Sequence, residues 1–243
     1  MHNAAFEALG LDWRYVPLPV AAELFAETVR ALPASGYRGV NVTIPHKEAA
    51  LALADDTGEE ARAIGAANTL TFADGAIRAD NTDAAGLLAA LPEEPLGMTA
   101  LVLGAGGAGR AATWALREAG ADVSVWNRTP GRAAALAQEL GVTSVEAPVA
   151  AQIVVNATSV GLDADDSTDD LPVAWIDPPK LAVELVYGEH RTPFQAWAEA
   201  GGSQLVEGLE VLVRQGALSF ERWTGREAPL DVMRRAARAS SRT

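Results

Sequence analysis

Residues 104–109 read Gly104-Ala105-Gly106-Gly107-Ala108-Gly109, directly after the apolar run Thr99-Ala100-Leu101-Val102-Leu103. A glycine turn that leaves a buried strand and opens a helix is suited to one task, the holding of a pyrophosphate. Gly104 allows the tight turn, Gly106 lets the backbone approach the phosphates, and Gly109 lets a helix expected over 107–119 pack close to the sheet. Free N–H groups at that helix start, at the positive end of its dipole, supply the donors, which makes Ala105, Gly107 and Ala108 cofactor contacts as well. About twenty residues on, where an NAD site places an acid for the ribose hydroxyls, the chain has Asn127-Arg128-Thr129 and then Arg132. A guanidinium forks onto a 2′-phosphate and stacks on adenine, whereas an acid repels that phosphate. NADP is therefore the expected cofactor.

The elements that must position this turn follow from the apolar pattern. Strands are expected at 99–103, 122–126, 152–156, 181–185 and 203–206, with Val145 in a short extra one, alternating with helices as a doubly wound sheet requires. Upstream, the pattern gives a helix over 3–9, a strand near 13–18, a helix over 20–31 and a strand over 39–43. Pro45 is expected in the first turn of a helix running to about 54. Strands at 68–73 and 76–80 are joined by a turn at Ala73-Asp74-Gly75, and a helix near 84–91 ends at Pro92-Glu93-Glu94-Pro95. The helix from Leu209 to Trp223 cannot extend a parallel sheet, so it returns to the first domain. The expected fold is α/β with two domains, an N-terminal α/β substrate domain over 1–95 completed by helices over 208–243, and a Rossmann-type doubly wound NADP-binding domain over 96–207. The interdomain cleft then lies between residues 40–90 and the glycine turn.

Composition narrows the function classes. The 243 residues are 49% hydrophobic and 21% charged, as in ordinary globular proteins. A net charge of −13 argues against a nucleic-acid or anionic-membrane surface, and Lys47, Arg128 and Arg132 must make a local positive site for anionic ligands. The basic stretch Arg234-Arg235-Ala236-Ala237-Arg238 reads as a solvated helix end. With no cysteine and only three histidines lacking metal-like spacing, no metal site is expected. No run is long and apolar enough to span a bilayer and no leader pattern is visible, so the cytoplasm is the expected compartment.

Six motifs stand in order along the chain: Asn41-Val42-Thr43-Ile44-Pro45-His46-Lys47, Ala66-Ala67-Asn68-Thr69-Leu70, Asn81-Thr82-Asp83, the glycine turn with Asn127-Arg128-Thr129, Asn156-Ala157-Thr158-Ser159-Val160-Gly161, and Gln215-Gly216-Ala217. In this the chain resembles the shikimate dehydrogenases over essentially its whole length. The resemblance implies NADPH-dependent, reversible reduction of 3-dehydroshikimate to shikimate, in chorismate and aromatic amino-acid biosynthesis. It implies Lys47 as the catalytic acid/base with Asp83 as its partner, a role that reduction of a carbonyl requires of some positioned acid. Thr43, Asn68 and Gln215 match residues that orient the substrate hydroxyls. Thr158 matches the loop on the nicotinamide side, and Tyr187 and Gly208 match positions bordering nicotinamide and substrate. Thr129 joins Arg128 at the adenosine phosphate. His46 reads as a packing residue, and Asn81-Thr82-Asp83 also suits a helix N-cap.

One departure from the family bears on activity. Its members begin with a strand and a Ser-x-Ser-x-Ser-Pro type segment for the substrate carboxylate, followed shortly by a His-Asn like His2-Asn3, whereas here Met1 directly precedes that pair. About twenty residues of that pattern are missing, and weak or no activity is expected of the polypeptide as written, because an interior strand lost from a sheet leaves unpaired backbone groups. Alternatives are a quinate or aminoshikimate-type dehydrogenase and a catalytically silent NADP-binding regulatory protein. The expected partners are small molecules, in a monomer or homodimer.

Overall fold

A computed structural model describes residues 1–167, 170–188 and 190–240. The unbroken apolar runs form the middle of a six-stranded parallel sheet, where β8 (Ile153–Asn156) and β9 (Leu181–Glu184) are buried throughout and β5 (Thr99–Leu103) is buried beyond its first residue. Strands covered on both faces show no alternation, and these three show none. β6 (Asp122–Trp126) and β7 (Thr143–Ser144) extend the sheet on one side and β10 (Gln204–Val206) on the other, in the order β10-β9-β8-β5-β6-β7. The winding reverses between β5 and β8, the point at which an open α/β sheet leaves a crevice at the carboxyl ends of its strands. Helices α6 (Gly107–Glu118), α7 (Pro130–Leu140) and α8 (Pro193–Ala200) flank it. α8 opens with a capping box, Thr192 accepting from the Gln195 N–H while the Gln195 side chain accepts from the Thr192 N–H.

A smaller mixed sheet precedes it. Its strands β1 (Gly39–Asn41), β2 (Asp56–Thr57), β3 (Thr69–Ala73) and β4 (Ala76–Asp80) lie in the order β1-β3-β4-β2. The β3–β4 hairpin turns at Asp74 and Gly75, both with positive φ (51° and 78°), the geometry that Asp-Gly favours. Around this sheet pack α2 (Phe25–Ala31), α3 (Lys47–Leu53) and α4 (Glu59–Ile64), burying Phe25, Val29, Leu70, Phe72 and Ile77. α5 (Asp83–Ala90) leads toward the larger sheet, and α9 (Gly208–Thr224) returns to lie against it. Gly86 makes that approach possible, since a Cβ there would stand 2.7 Å from the Cβ of Gln215. α1 (His2–Ala8) and α10 (Leu230–Ser240) complete this layer, with Phe6 stacked on Phe220 at 5.4 Å.

Three features depart from expectation. No strand forms at 13–18, because the Tyr15 N–H is taken by Asn3 Oδ1 at 2.7 Å and the Tyr15 carbonyl by Asn3 Nδ2 at 2.9 Å. Pro45 follows a cis Ile44–Pro45 peptide and lies outside the helix, which begins at Lys47. Between 55 and 65 the chain forms β2 and α4, elements too short to stand out in the apolar pattern. Among the described residues no helix is long and apolar enough to cross a membrane, and no group of His, Cys, Asp and Glu could hold a metal ion.

Candidate active site

Lys47 opens α3 and Asp83 opens α5. Asn81 fixes the second of these ends, its Oδ1 accepting the N–H groups of Asp83 at 3.0 Å and Ala84 at 3.3 Å. Lys47 Nζ donates to Asp83 Oδ2 at 2.5 Å, with the two side chains 12% and 19% exposed. The other carboxylate oxygen accepts from Asn68 Nδ2 at 2.8 Å, and the same amide donates to Gln215 Oε1 at 3.0 Å. Asn68 Oδ1 is held in turn by the Thr82 N–H at 2.7 Å and the Thr69 hydroxyl at 3.0 Å. Four residues distant in sequence thus form one chain of bonds: Lys47, Asp83, Asn68 and Gln215.

This chain borders two cavities. One, of about 700 Å³, is lined by Thr43, Asn68, Asp83, Tyr187, Gly208 and Gln215. The other, of about 320 Å³, is lined by residues 104–108 together with Asn127, Arg128, Thr129 and Arg132. Lys47 and Thr158 line both. The lysine stem rests on the helix start opposite, for a Cβ at Gly107 would lie 2.9 Å from both Cβ and Cδ of Lys47. Gly208, expected beside the cofactor, lines the larger cavity alone, because it opens α9 with its Cα against the Val186 carbonyl.

The smaller cavity suits a dinucleotide phosphate. Gly104 has φ +108°, and a Cβ on Gly109 would land on the Gly104 carbonyl, whereas at Gly106 the equivalent space is open. The first turn of α6 carries no side-chain cap, so its N–H groups are available. Arg128 and Arg132 are exposed at the rim, and neither has a carboxylate partner among the described residues; Asp170 lines the same cavity. Asn127 plays a different part: its Oδ1 accepts the Ala105 N–H at 3.1 Å and its amide donates to the Thr129 carbonyl at 3.0 Å, so it shapes the turn. Thr129 stands at the N-cap of α7 with no capping bond from its hydroxyl.

Some residues at the site were assigned no role from the sequence. Beneath the larger cavity, Asn41 Nδ2 donates to Ser219 Oγ at 2.8 Å and Tyr15 donates its hydroxyl to Asn41 Oδ1 at 3.1 Å. His2 is buried against Tyr15, stacked at 4.4 Å, and burial pushes its imidazole down to about 4. Glu184 is fully buried in β9, and a lone acid inside Leu181-Ala182-Val183-Glu184-Leu185-Val186 was the available clue. His46 is a packing residue, stacked on Phe25 at 4.5 Å with Nε2 3.0 Å from the Val20 carbonyl.

Comparison with known proteins finds similarity to the shikimate dehydrogenases. Family models match for the shikimate dehydrogenase substrate binding domain over residues 1–70, shikimate / quinate 5-dehydrogenase over 91–159 and the shikimate 5′-dehydrogenase C-terminal domain over 208–238. Shikimate dehydrogenase (NADP(+)) of Methanothermobacter thermautotrophicus is 45% identical over 251 residues, covering 96% of this chain and 88% of that protein. A Thermus thermophilus enzyme of the same name is 48% identical over 233 residues, covering 93% and 86%. A crystal structure of shikimate 5-dehydrogenase from Thermus thermophilus in complex with NADP(H) and shikimate superposes with a TM-score of 0.89 at 45% identity, covering 98% of this chain and 92% of that one.

Proposed function

The chain belongs to the shikimate dehydrogenase family, and from that premise we propose that it catalyses the NADPH-dependent, reversible reduction of 3-dehydroshikimate to shikimate. The observation that carries this reading is the Lys47–Asp83 contact at 2.5 Å, set at the wall between two cavities. Bound NADPH supplies the hydride. Lys47, as the ammonium, gives a proton to the substrate oxygen as the carbonyl carbon is reduced, and takes it back in the oxidative direction. Asp83 holds the ammonium with one oxygen and is itself held by Asn68 through the other, which fixes the direction of the donated N–H. Asn68, Gln215 and Thr43 offer amide and hydroxyl groups that pair with substrate hydroxyls, and Tyr187 and Gly208 border the same space. The α6 start receives the pyrophosphate, while Arg128, Arg132 and Thr129 receive the 2′-phosphate.

In this reading residues 1–95 with 208–243 form the substrate domain and 96–207 the NADP domain, of a cytoplasmic monomer or homodimer in aromatic amino-acid biosynthesis. The test is NADPH consumption by the protein expressed from its full natural reading frame, with 3-dehydroshikimate and 3-dehydroquinate compared. Faster consumption with 3-dehydroshikimate is the expected result. A preference for the quinate-type substrate would replace the assignment, and NADPH binding without turnover on either would make the chain a silent binding protein.

A further inference from the structure

We propose that Glu184 is the positioning residue for the nicotinamide half of the cofactor, its carboxylate tying together the loops that wall the space shared by the two cavities. The proposal rests on the NADPH reading above. Glu184 ends β9 with 0% exposure. Its Oε1 accepts Asn156 Nδ2 at 2.9 Å and the Val186 N–H at 2.9 Å, and its Oε2 accepts the Thr192 hydroxyl at 2.6 Å and Asn156 Nδ2 at 3.2 Å. The partners come from two connections at the carboxyl edge of the sheet: Asn156 opens the one after β8, while Val186 and Thr192 stand near the two ends of the one joining β9 to α8.

The first loop leads to the shared wall. Asn156 Oδ1 accepts the Thr158 N–H at 3.1 Å and its hydroxyl at 2.7 Å, and Thr158 Oγ1 accepts the Val160 N–H at 3.1 Å, while Asn156 Nδ2 donates back to the Val160 carbonyl at 3.1 Å. Thr158, which lines both cavities, is therefore set by Asn156, and Asn156 is set by Glu184. The second loop, beginning at Val186, carries Tyr187 and abuts Gly208, both in the larger cavity. At the far end of the same connection, Thr192 packs on Gly161, where a Cβ would lie 2.9 Å from the Thr192 Cβ, so the first loop is held from its far end too.

A carboxylate here is expensive as a packing element. Burial pushes its pKa up to about 7 even though hydrogen bonds from Thr192, Val186 and Asn156 pull it down, and an apolar side chain would fill the space between Val183 and Leu185 without that penalty. What a carboxylate alone does is accept on both oxygens from two connections at once, holding the second near both of its ends. The adenosine-binding residues Arg128 and Thr129 follow β6, a different strand, and do not touch this network.

That separation supplies the test. Glu184→Gln puts a donor where both oxygens must accept. It is expected to weaken the NADPH Kd, read by energy transfer to bound NADPH, about tenfold and to lower kcat about tenfold, while adenosine 2′,5′-bisphosphate binds within about twofold of the parent. Glu184→Asp keeps the charge on a shorter stem and gives the same pattern at smaller amplitude, which keeps the question open to measurement should the glutamine variant not fold. Unchanged NADPH binding and kcat in both single variants would overturn the proposal, as would equal weakening of the bisphosphate, which marks a merely structural role. Parent protein that binds neither NADPH nor the bisphosphate would instead defeat the underlying NADPH reading.

Discussion

The two cavities that meet at Lys47 are built from different materials. The smaller is made of backbone: a glycine turn of consecutive residues, one uncapped helix start and arginines at the rim. The larger is made of side chains delivered by α3, α5, α9 and the approach to β3, held in place by one another through Asn68. Backbone walls fail when atoms are added, and side-chain walls fail when atoms are removed.

The sharpest way to test that contrast is on the side-chain wall. Lys47→Ala is expected to lower kcat by about 10²–10⁴-fold, the usual worth of a positioned proton donor, while the NADPH Kd measured by fluorescence stays within about twofold. Retained turnover would break the assignment of Lys47 outright. On the backbone wall, Gly109→Ala adds one methyl group that lands on the Gly104 carbonyl. A cost of about 1–3 kcal/mol is expected, seen as a lower Tm and about a tenfold or greater loss of NADPH affinity in a binding titration. Gly106→Ala, with open space at the same point of the bare protein, should spare Tm and weaken only the cofactor complex.

Arg128→Ala sharpens the comparison at the rim. Loss of a charge-assisted contact is expected to raise the KM for NADPH about tenfold and leave the KM for NADH unchanged in steady-state assays. The smallest effect belongs to Glu210, which ties α9 to α10 through Arg234 (2.9 Å to each oxygen) and to Arg214 (2.7 Å). Those arginines hold its carboxyl down, from 4.5 to about 2, so the stability it contributes is present above 4.5 and lost as pH falls toward 2. Glu210→Gln should lower Tm by about 2–4 °C at pH 7, a deficit of about 1 kcal/mol that shrinks through that acid window in thermal melts with kcat unchanged.

The same contrast explains what was legible in the sequence. The backbone-built half was readable because its determinants are contiguous: apolar runs with no alternation gave the five main strands of the large sheet within one residue of their ends, and glycine spacing gave the turn. The side-chain half was readable only through its motifs, since nothing in local periodicity says that Gln215 of α9 meets Asn68. A misreading arose where a side chain captured a backbone group. Asn3 occupies both polar groups of Tyr15, so the apolar alternation at 13–18 yields no strand; Asn127, expected at the cofactor, lines the smaller cavity and also holds the Ala105 N–H. Glu184 escaped notice because periodicity treats one acid in an apolar strand as noise, whereas burial makes it an anchor.

The bare α-carbon at position 107 has a consequence for the aim of Lys47. The aliphatic stem of Lys47 lies in a slot only a hydrogen atom deep, with its own helix on one side and α6 on the other. The slot limits where the side chain can go: with the stem pinned between α3 and α6, the terminal nitrogen is directed at Asp83 Oδ2. A methyl group at position 107 would press on that stem, so the direction of the ammonium depends on an atom that is not there.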